Sequence, residues 1–276
     1  MRIINVNKFY YLRGGAERYF FSLSDLLQQH GHEVIPFSMQ HPQNLSTPYA
    51  KYFSSYVELG KRRGDTGGGD LSARKRLAEH GEVPKVAGPR AIARMFWSFE
   101  VAKKFDELLR DTKPDLVHIH NIYHQLSPSL LSVAKRHGIP VVMTVHDYKL
   151  IWPDYLLCGY TTSPKDLTPA LSYQERETQR IGSYWNVVRS RCTQGSYLKS
   201  ALVVAEKMFH DWLRVYQKNI DLFLAPSEFV KEKLLAGGYD AKKIRVLPHF
   251  VSTPFYKGHP CSYKGDPCIL YFGRLS

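Results

Sequence analysis

Residues 2–39 read RIINVNKFYYLRGGAERYFFSLSDLLQQHGHEVIPFSM, and this stretch decides the fold. Ile3, Ile4 and Val6 open a buried strand over residues 2–9. Gly14-Gly15 then lets the chain turn. Ala16, Tyr19, Phe20, Leu23, Leu26 and Leu27 recur at helical spacing. Gly31 stops that helix from the position just past its end, and His32–Met39 reads as a second strand. Strand, glycine turn, helix and strand make one βαβ unit.

The same alternation continues outward. A helix is expected near Ala91–Arg110, and Pro114–His120 reads as a strand. Ser127 and Pro128 supply an N-cap and a first-turn proline for the next helix. Gly138 ends it, and Pro140–His146 is another buried strand. Ser196–Lys218 reads as one amphipathic helix whose apolar face holds Leu198, Ala201, Leu202, Ala205, Phe209, Trp212, Leu213 and Tyr216. Leu222–Ala225 is a strand, Ser227 caps a helix ending at Gly237-Gly238, and Ile244–Leu247 is the next strand. Repeated βα units imply an α/β domain, a parallel sheet with helices on both faces.

Two stretches break the rhythm. Residues 60–94 hold seven glycines and nine Lys/Arg against four Asp/Glu, which predicts a mobile basic loop with a short helix around Leu71–His80. Residues 149–195 are polar and aromatic, with Pro153, Pro164 and Pro169, and read as an insertion with at most short helices. Residues 254–267 look like a linker. Cys268–Phe272 then starts a new strand, followed by Gly273-Arg274. The expectation is one domain over 1–253 and, at 268–276, the first strand of another, as in a truncated product.

Composition narrows the function classes. The 276 residues carry 38 Lys and Arg against 25 Asp and Glu, a net charge of +13. That surplus implies acidic company: phosphates, anionic lipid or nucleic acid. No apolar run is long enough to span a bilayer, and Met1–Val6 lacks the apolar core of a secretory signal. Cys158, Cys192, Cys261 and Cys268 form no C-x-x-C pair and read as reduced thiols of a cytoplasmic protein. Nucleic-acid binding fits the charge, but no zinc-finger or RNP-type motif accompanies it.

Ligands of open parallel sheets sit beyond the carboxyl ends of the strands, and three features fall there. Gly14-Gly15 either meets a turn requirement or lets an anion approach the amides of a helix N-terminus; it is not the G-x-G-x-x-G fingerprint. His118-Ile119-His120-Asn121 ends one strand, with His118 deeper and read as a hydrogen-bonded core residue. His146-Asp147 ends the strand after the next helix. Two successive βα units therefore deliver histidines to one rim.

These residues resemble glycosyltransferase family 4. Gly14-Gly15-Ala16-Glu17-Arg18, Pro114–His120, Thr144-Val145-His146-Asp147, Ala225-Pro226-Ser227-Glu228-Phe229 and Tyr271-Phe272-Gly273-Arg274-Leu275-Ser276 occur in that family's order. The resemblance implies a retaining, nucleotide-sugar-dependent enzyme of GT-B type, built from two Rossmann-like domains, with this chain as the N-terminal, acceptor-side domain. It implies donor-phosphate contacts for Gly14, Gly15 and Arg274. His146 would approach the donor sugar and assist the reaction, and His120, Asn121 and Asp147 would form the acceptor rim. No metal or other cofactor is expected, since positive groups replace the cation. The implied partners are a nucleotide-sugar and a glycan or lipid-linked acceptor. Pro248-His249-Phe250-Val251 departs from the family's usual Pro-Asn-Gly-Val. The stretch Tyr155–Cys192 resembles a cysteine-containing insertion of some relatives, but Cys158 and Cys192 alone suggest no metal site.

Lys61-Arg62-Arg63 and Arg74-Lys75-Arg76 are either solvated surface or a peripheral contact with an anionic membrane. Two rival readings stand beside the transferase. One is a non-catalytic sugar- or lipid-binding remnant. The other is a metal-dependent hydrolase using His118, His120, His146 and Asp147.

Overall fold

The computed structural model describes residues 1–57, 85–86, 88–157 and 184–250. The calls on the two basic triplets, Cys158, the linker 254–267, the strand 268–276 and Arg274 lie outside them. The order is β1 (Arg2–Val6), α1 (Gly15–Gln29), β2 (Glu33–Phe37), β3 (Tyr56–Val57), β4 (Lys85–Val86), α2 (Pro89–Phe96), α3 (Phe99–Thr112), β5 (Leu116–Ile119), α4 (Ser129–Arg136), β6 (Val141–Thr144), α5 (Tyr197–Leu213), α6 (Val215–Asn219), β7 (Leu222–Ala225), α7 (Glu228–Ala236) and β8 (Ile244–Val246).

Six strands pair in the order β2-β1-β5-β6-β7-β8, every pair parallel. From β1 the chain steps one way to β2, then back across to β5 and onward. Right-handed crossovers therefore put α1 on one face and α3, α4 and α6 on the other. Packing of α3 on α4 and of α4 on α6 agrees. The direction reverses between β1 and β5, and the crevice at their carboxyl ends is the switch point where such sheets bind ligands. β3 and β4 form a separate two-stranded parallel sheet.

The strands are apolar because both faces are covered. Ile3, Ile4, Val6, Val117, Ile119, Val141, Met143 and Phe223 are all buried. Burial of each such side chain contributes about 1.5–3 kcal/mol. Ile4 and Val6 join the main cluster with Phe37 and Phe105. Asn5 points the other way, donating to Ser24 Oγ of α1 at 2.9 Å. The helix end is as the sequence implies: Gly31 sits at φ +80°, its N–H reaching Gln28 O at 2.9 Å and the next N–H reaching Leu27 O at 3.0 Å. A Cβ on Gly31 would meet nothing within 4 Å. Gly31→Ala is therefore expected to lose only the backbone term, about 1–2 kcal/mol, read by urea unfolding.

Several expectations need correction. The helix near Ala91–Arg110 is two helices, because Ser98 is extended and its side chain caps Val101 N, restarting the helix. The basic loop placed at 60–94 is helical at its end, where Gly88 and Pro89 start α2. Pro128, not Ser127, is the cap of α4; Ser127 adopts φ +64°. The helix expected over Ser196–Lys218 is broken at Arg214, which caps α5 in the left-handed region. Cys192 is disulfide-bonded rather than a free thiol. None of the described helices is long and apolar enough to cross a membrane.

The largest correction concerns α5. Ser200, Val203, Glu206, Lys207 and His210 are its buried residues. Leu198 and Trp212, expected in the core, are 80% and 78% exposed. The helix is turned about a third of a revolution from the orientation its apolar pattern suggests, which leaves Leu202, Phe209 and Leu213 half-buried.

Candidate functional site

Register determines what gathers at the sheet's end. His118 is aligned with Asn5 of β1 and Val142 of β6. Asn5 faces α1, so His118 and, two residues on, His120 face it too. Thr144 and His146 extend the same face of β6. His118 Nε2 meets Thr144 Oγ1 at 2.8 Å, and His120 Nδ1 meets His146 Nε2 at 2.8 Å. One imidazole donates and the other accepts, so both rings carry the same tautomer, Nδ1–H if His120 donates and Nε2–H if His146 does.

The rings form a column. His118 and His120 stack at 4.6 Å between centroids and 24°, and His120 and His146, joined edge to edge, lie 5.1 Å apart at 26°. His249, just past β8, adds a fourth ring 5.0 Å from His146. Helix α1 closes the side. Phe20 meets His120 edge-on at 5.3 Å, while Tyr19 lies 5.6 Å from His146 and 4.3 Å from His249. The sequence marked Tyr19 and Phe20 as apolar helix positions only. The departure at Pro248-His249 was the available signal for the fourth imidazole.

Desolvation keeps the rings of His118, His120 and His146 uncharged. Desolvation lowers the His118 pKa to about 4. Desolvation first, then the neighbouring His249 and His118, lowers that of His146 to about 3. His120 falls well below the ordinary value for the same reasons. Its Nε2 is buried without a hydrogen-bond partner, and an apolar cage makes a charge there costly. The facing nitrogens of His120 and His146 are taken up by each other. Among the described residues no group of three or more His, Cys, Asp or Glu is placed to hold a metal ion.

The glycine turn belongs to the same helix as Tyr19. Gly14 is extended at φ −161°, a conformation open to any residue, and Gly15 has no positive φ. A Cβ on Gly15 would meet nothing within 4 Å, and one on Gly14 only Glu17 Oε2 at 3.5 Å. The fold itself does not require glycine at either position. Both are exposed, and no side chain caps the helix, so its first amides are open to an anion. Glu17, buried in that first turn, is held by Asn7 Nδ2 at 3.3 Å.

The other rim residues lie nearby in different settings. Asn121 is buried: its N–H donates to Asn7 Oδ1 at 3.2 Å and its carbonyl accepts from Lys8 N at 2.8 Å. It pins the end of β5 to the chain leaving β1, and its Oδ1 has no hydrogen-bond partner. Asp147 is half-buried and accepts from Lys149 N–H at 3.0 Å. Lys149 itself runs inward to Glu206 of α5, Nζ to Oε2 at 2.8 Å, both side chains buried. His124 Nδ1 meets Glu206 Oε1 at 3.1 Å. A buried charge cluster thus anchors α5 behind the histidine column, a connection absent from the linear pattern.

With this geometry in hand, likeness to known proteins is informative. The model of Glycosyltransferase Family 4 matches residues 13–254. An uncharacterized 42.6 kDa protein in the cps region of Klebsiella pneumoniae is 24% identical over 250 residues, covering 87% of this chain and 52% of that protein. Anabaena HepE in complex with UDP and glucose is 12% identical, covering 90% of this chain and 44% of that chain, with a TM-score of 0.38. Acinetobacter baumannii MurG is 10% identical, covering 92% and 46%, also with a TM-score of 0.38. The chain spans about half the length of these relatives.

Proposed function

The chain belongs to glycosyltransferase family 4, and we propose that it forms the acceptor-side half of a retaining transferase. That enzyme moves a hexosyl unit from a nucleotide-sugar to a glycan or lipid-linked acceptor. The observation that carries this reading is the contact of His146 with His120 beside Tyr19, on the helix that starts at two exposed glycines the fold does not need.

The chemistry is consistent with the setting. Breaking a sugar–diphosphate bond leaves negative charge on the departing phosphate and positive charge on the anomeric carbon. The open amides of α1 answer the first, and Gly14 and Gly15 let the diphosphate approach them; Arg274 would add a guanidinium. The second needs polar groups that carry no positive charge of their own. A His146 with its pKa near 3 stays neutral at pH 7, so it accepts or donates a hydrogen bond without repelling the cationic sugar. The bond from His120 sets which His146 nitrogen is left for substrate. Asp147 and Asn121 bound the acceptor's side.

His146→Ala is expected to lower turnover of the protein carrying this chain about 100–1000-fold, a loss typical of a positioned polar group. The melting temperature should fall by only a few degrees, from leaving His120 Nδ1 without its partner. Unchanged turnover would remove His146 from the reaction. Transfer should also persist in excess EDTA, and its abolition with recovery on adding Mg²⁺ would contradict the metal-free reading. Calorimetry of nucleoside diphosphate against Gly14→Val and parent tests the phosphate role separately: the variant should bind at least tenfold more weakly.

A further inference from the structure

The outward face of α5 is apolar from end to end. Leu198, Ala201, Ala205, Met208 and Trp212 are all exposed, and steps of three and four residues set them in one stripe. The flanking positions Val204 and Phe209 are apolar as well. Beside it, Trp185 is 68% exposed. Trp185 follows Tyr184, whose hydroxyl donates to Asp211 Oδ2 of α5 at 3.1 Å. A continuous patch of this kind, unlike scattered single residues, marks an interaction surface.

The helix is not free to roll and hide the stripe. Its opposite side holds Glu206 against Lys149 and His124, and Lys207 is paired with Asp211. Rotation would strand buried charges, each costing several kcal/mol. The apolar face is therefore held outward by the polar one.

The surroundings specify the chemistry of the partner. Arg189 and Arg191 are exposed near the start of the stripe. The Arg191 guanidinium lies 4.3 Å from the Tyr197 ring centroid and donates to Tyr197 Oη at 3.0 Å, which fixes a cation at the stripe's edge. The chain's net charge is +13. Tryptophan, tyrosine and leucine bordered by Arg suit the boundary between acyl chains and anionic headgroups.

We propose that the outward face of α5, with Trp185, docks on an anionic membrane, the apolar stripe entering the headgroup–acyl boundary and the basic residues lying over lipid phosphates. Docking of this kind does not require sugar transfer to occur.

The test is co-sedimentation with vesicles of phosphatidylcholine alone and of phosphatidylcholine with about one third phosphatidylglycerol, together with tryptophan emission. The parent chain should bind the anionic vesicles, with a blue shift, and the neutral ones at least tenfold less, as expected where two basic residues each add about 1 kcal/mol. Leu198→Ser/Trp212→Ser should weaken anionic binding at least tenfold, because two apolar side chains are lost from the headgroup–acyl boundary. Its melting temperature should match the parent's, since both side chains are exposed; should the pair fail to fold, Trp185→Ser alone is expected to weaken binding several-fold. Undiminished binding by the folded variants would overturn the assignment, as would equal binding to neutral vesicles. Absence of binding in a parent that sediments as a dimer split by Trp212→Ser would assign the stripe to a second copy instead and overturn it too.

Discussion

Lys149→Met is expected to lower folding stability by about 3–5 kcal/mol, the usual cost of removing one partner of a buried ion pair. Glu206 is 1% exposed and Lys149 is 2% exposed. Burial alone would raise the Glu206 pKa, but His124, which hydrogen-bonds the carboxyl, and the Lys149 ammonium outweigh it and hold the carboxyl well below its ordinary range. Without the ammonium, the carboxylate must either remain charged in a dry site or take up a proton, and both are unfavourable. Lys149 Nζ also donates to Pro153 O at 2.6 Å, so the loop after β6 loosens with it. Thermal unfolding should shift down by about 10 °C, given about 2–4 °C per kcal/mol at this size. The double variant Lys149→Met/Glu206→Leu should recover most of the loss, because no charge is then left without a partner. A single variant that melts with the parent would show that the pair is not holding α5.

The second large effect is acid sensitivity. His118 and His146 have folded-state pKa values of about 4 and about 3, against 6.5 for an unperturbed histidine. Between pH 6.5 and 4 the unfolded chain binds protons that the folded chain does not. Stability is therefore complete above pH 6.5 and is lost as pH falls towards 4. Each such group contributes about 1.4 kcal/mol per pH unit at most, so a fall of about 2–3 kcal/mol is expected from pH 6 to pH 5. His120 and His124 are shifted in the same direction by burial and steepen the fall. Glu206 acts with the same sign, but only below the ordinary glutamate range near 4.5. Urea unfolding at half-unit pH steps measures the slope, and His118→Asn should flatten it by about one group's share. Equal stability at pH 7 and pH 5 would mean the imidazoles are not desolvated as described.

Much of the site could be read along the chain. His120 and His146 end strands separated by one helix, so a parallel sheet must bring them to the same edge. The glycine pair precedes the helix that flanks them. His249 could not be foreseen in this way, since it lies more than a hundred residues past His146 and only the order of β7 and β8 returns it to the column. Tyr19 looked like any core position of an amphipathic helix. Its contact with the column follows from which face of the sheet α1 covers.

Local pattern thus determined the elements: strand, helix and stop signals act within a few residues, and the alternation of βα units dictated a parallel sheet. What the pattern left open was orientation. Periodicity identifies the residues of α5 that share a side but not the side that turns inward. That choice was made by Lys149 and His124, which reach Glu206 from 57 and 82 positions away in the chain. Once the fold removes the charges of Lys149 and Glu206 from water, only mutual pairing makes burial tolerable, and the helix turns its polar side in to provide it.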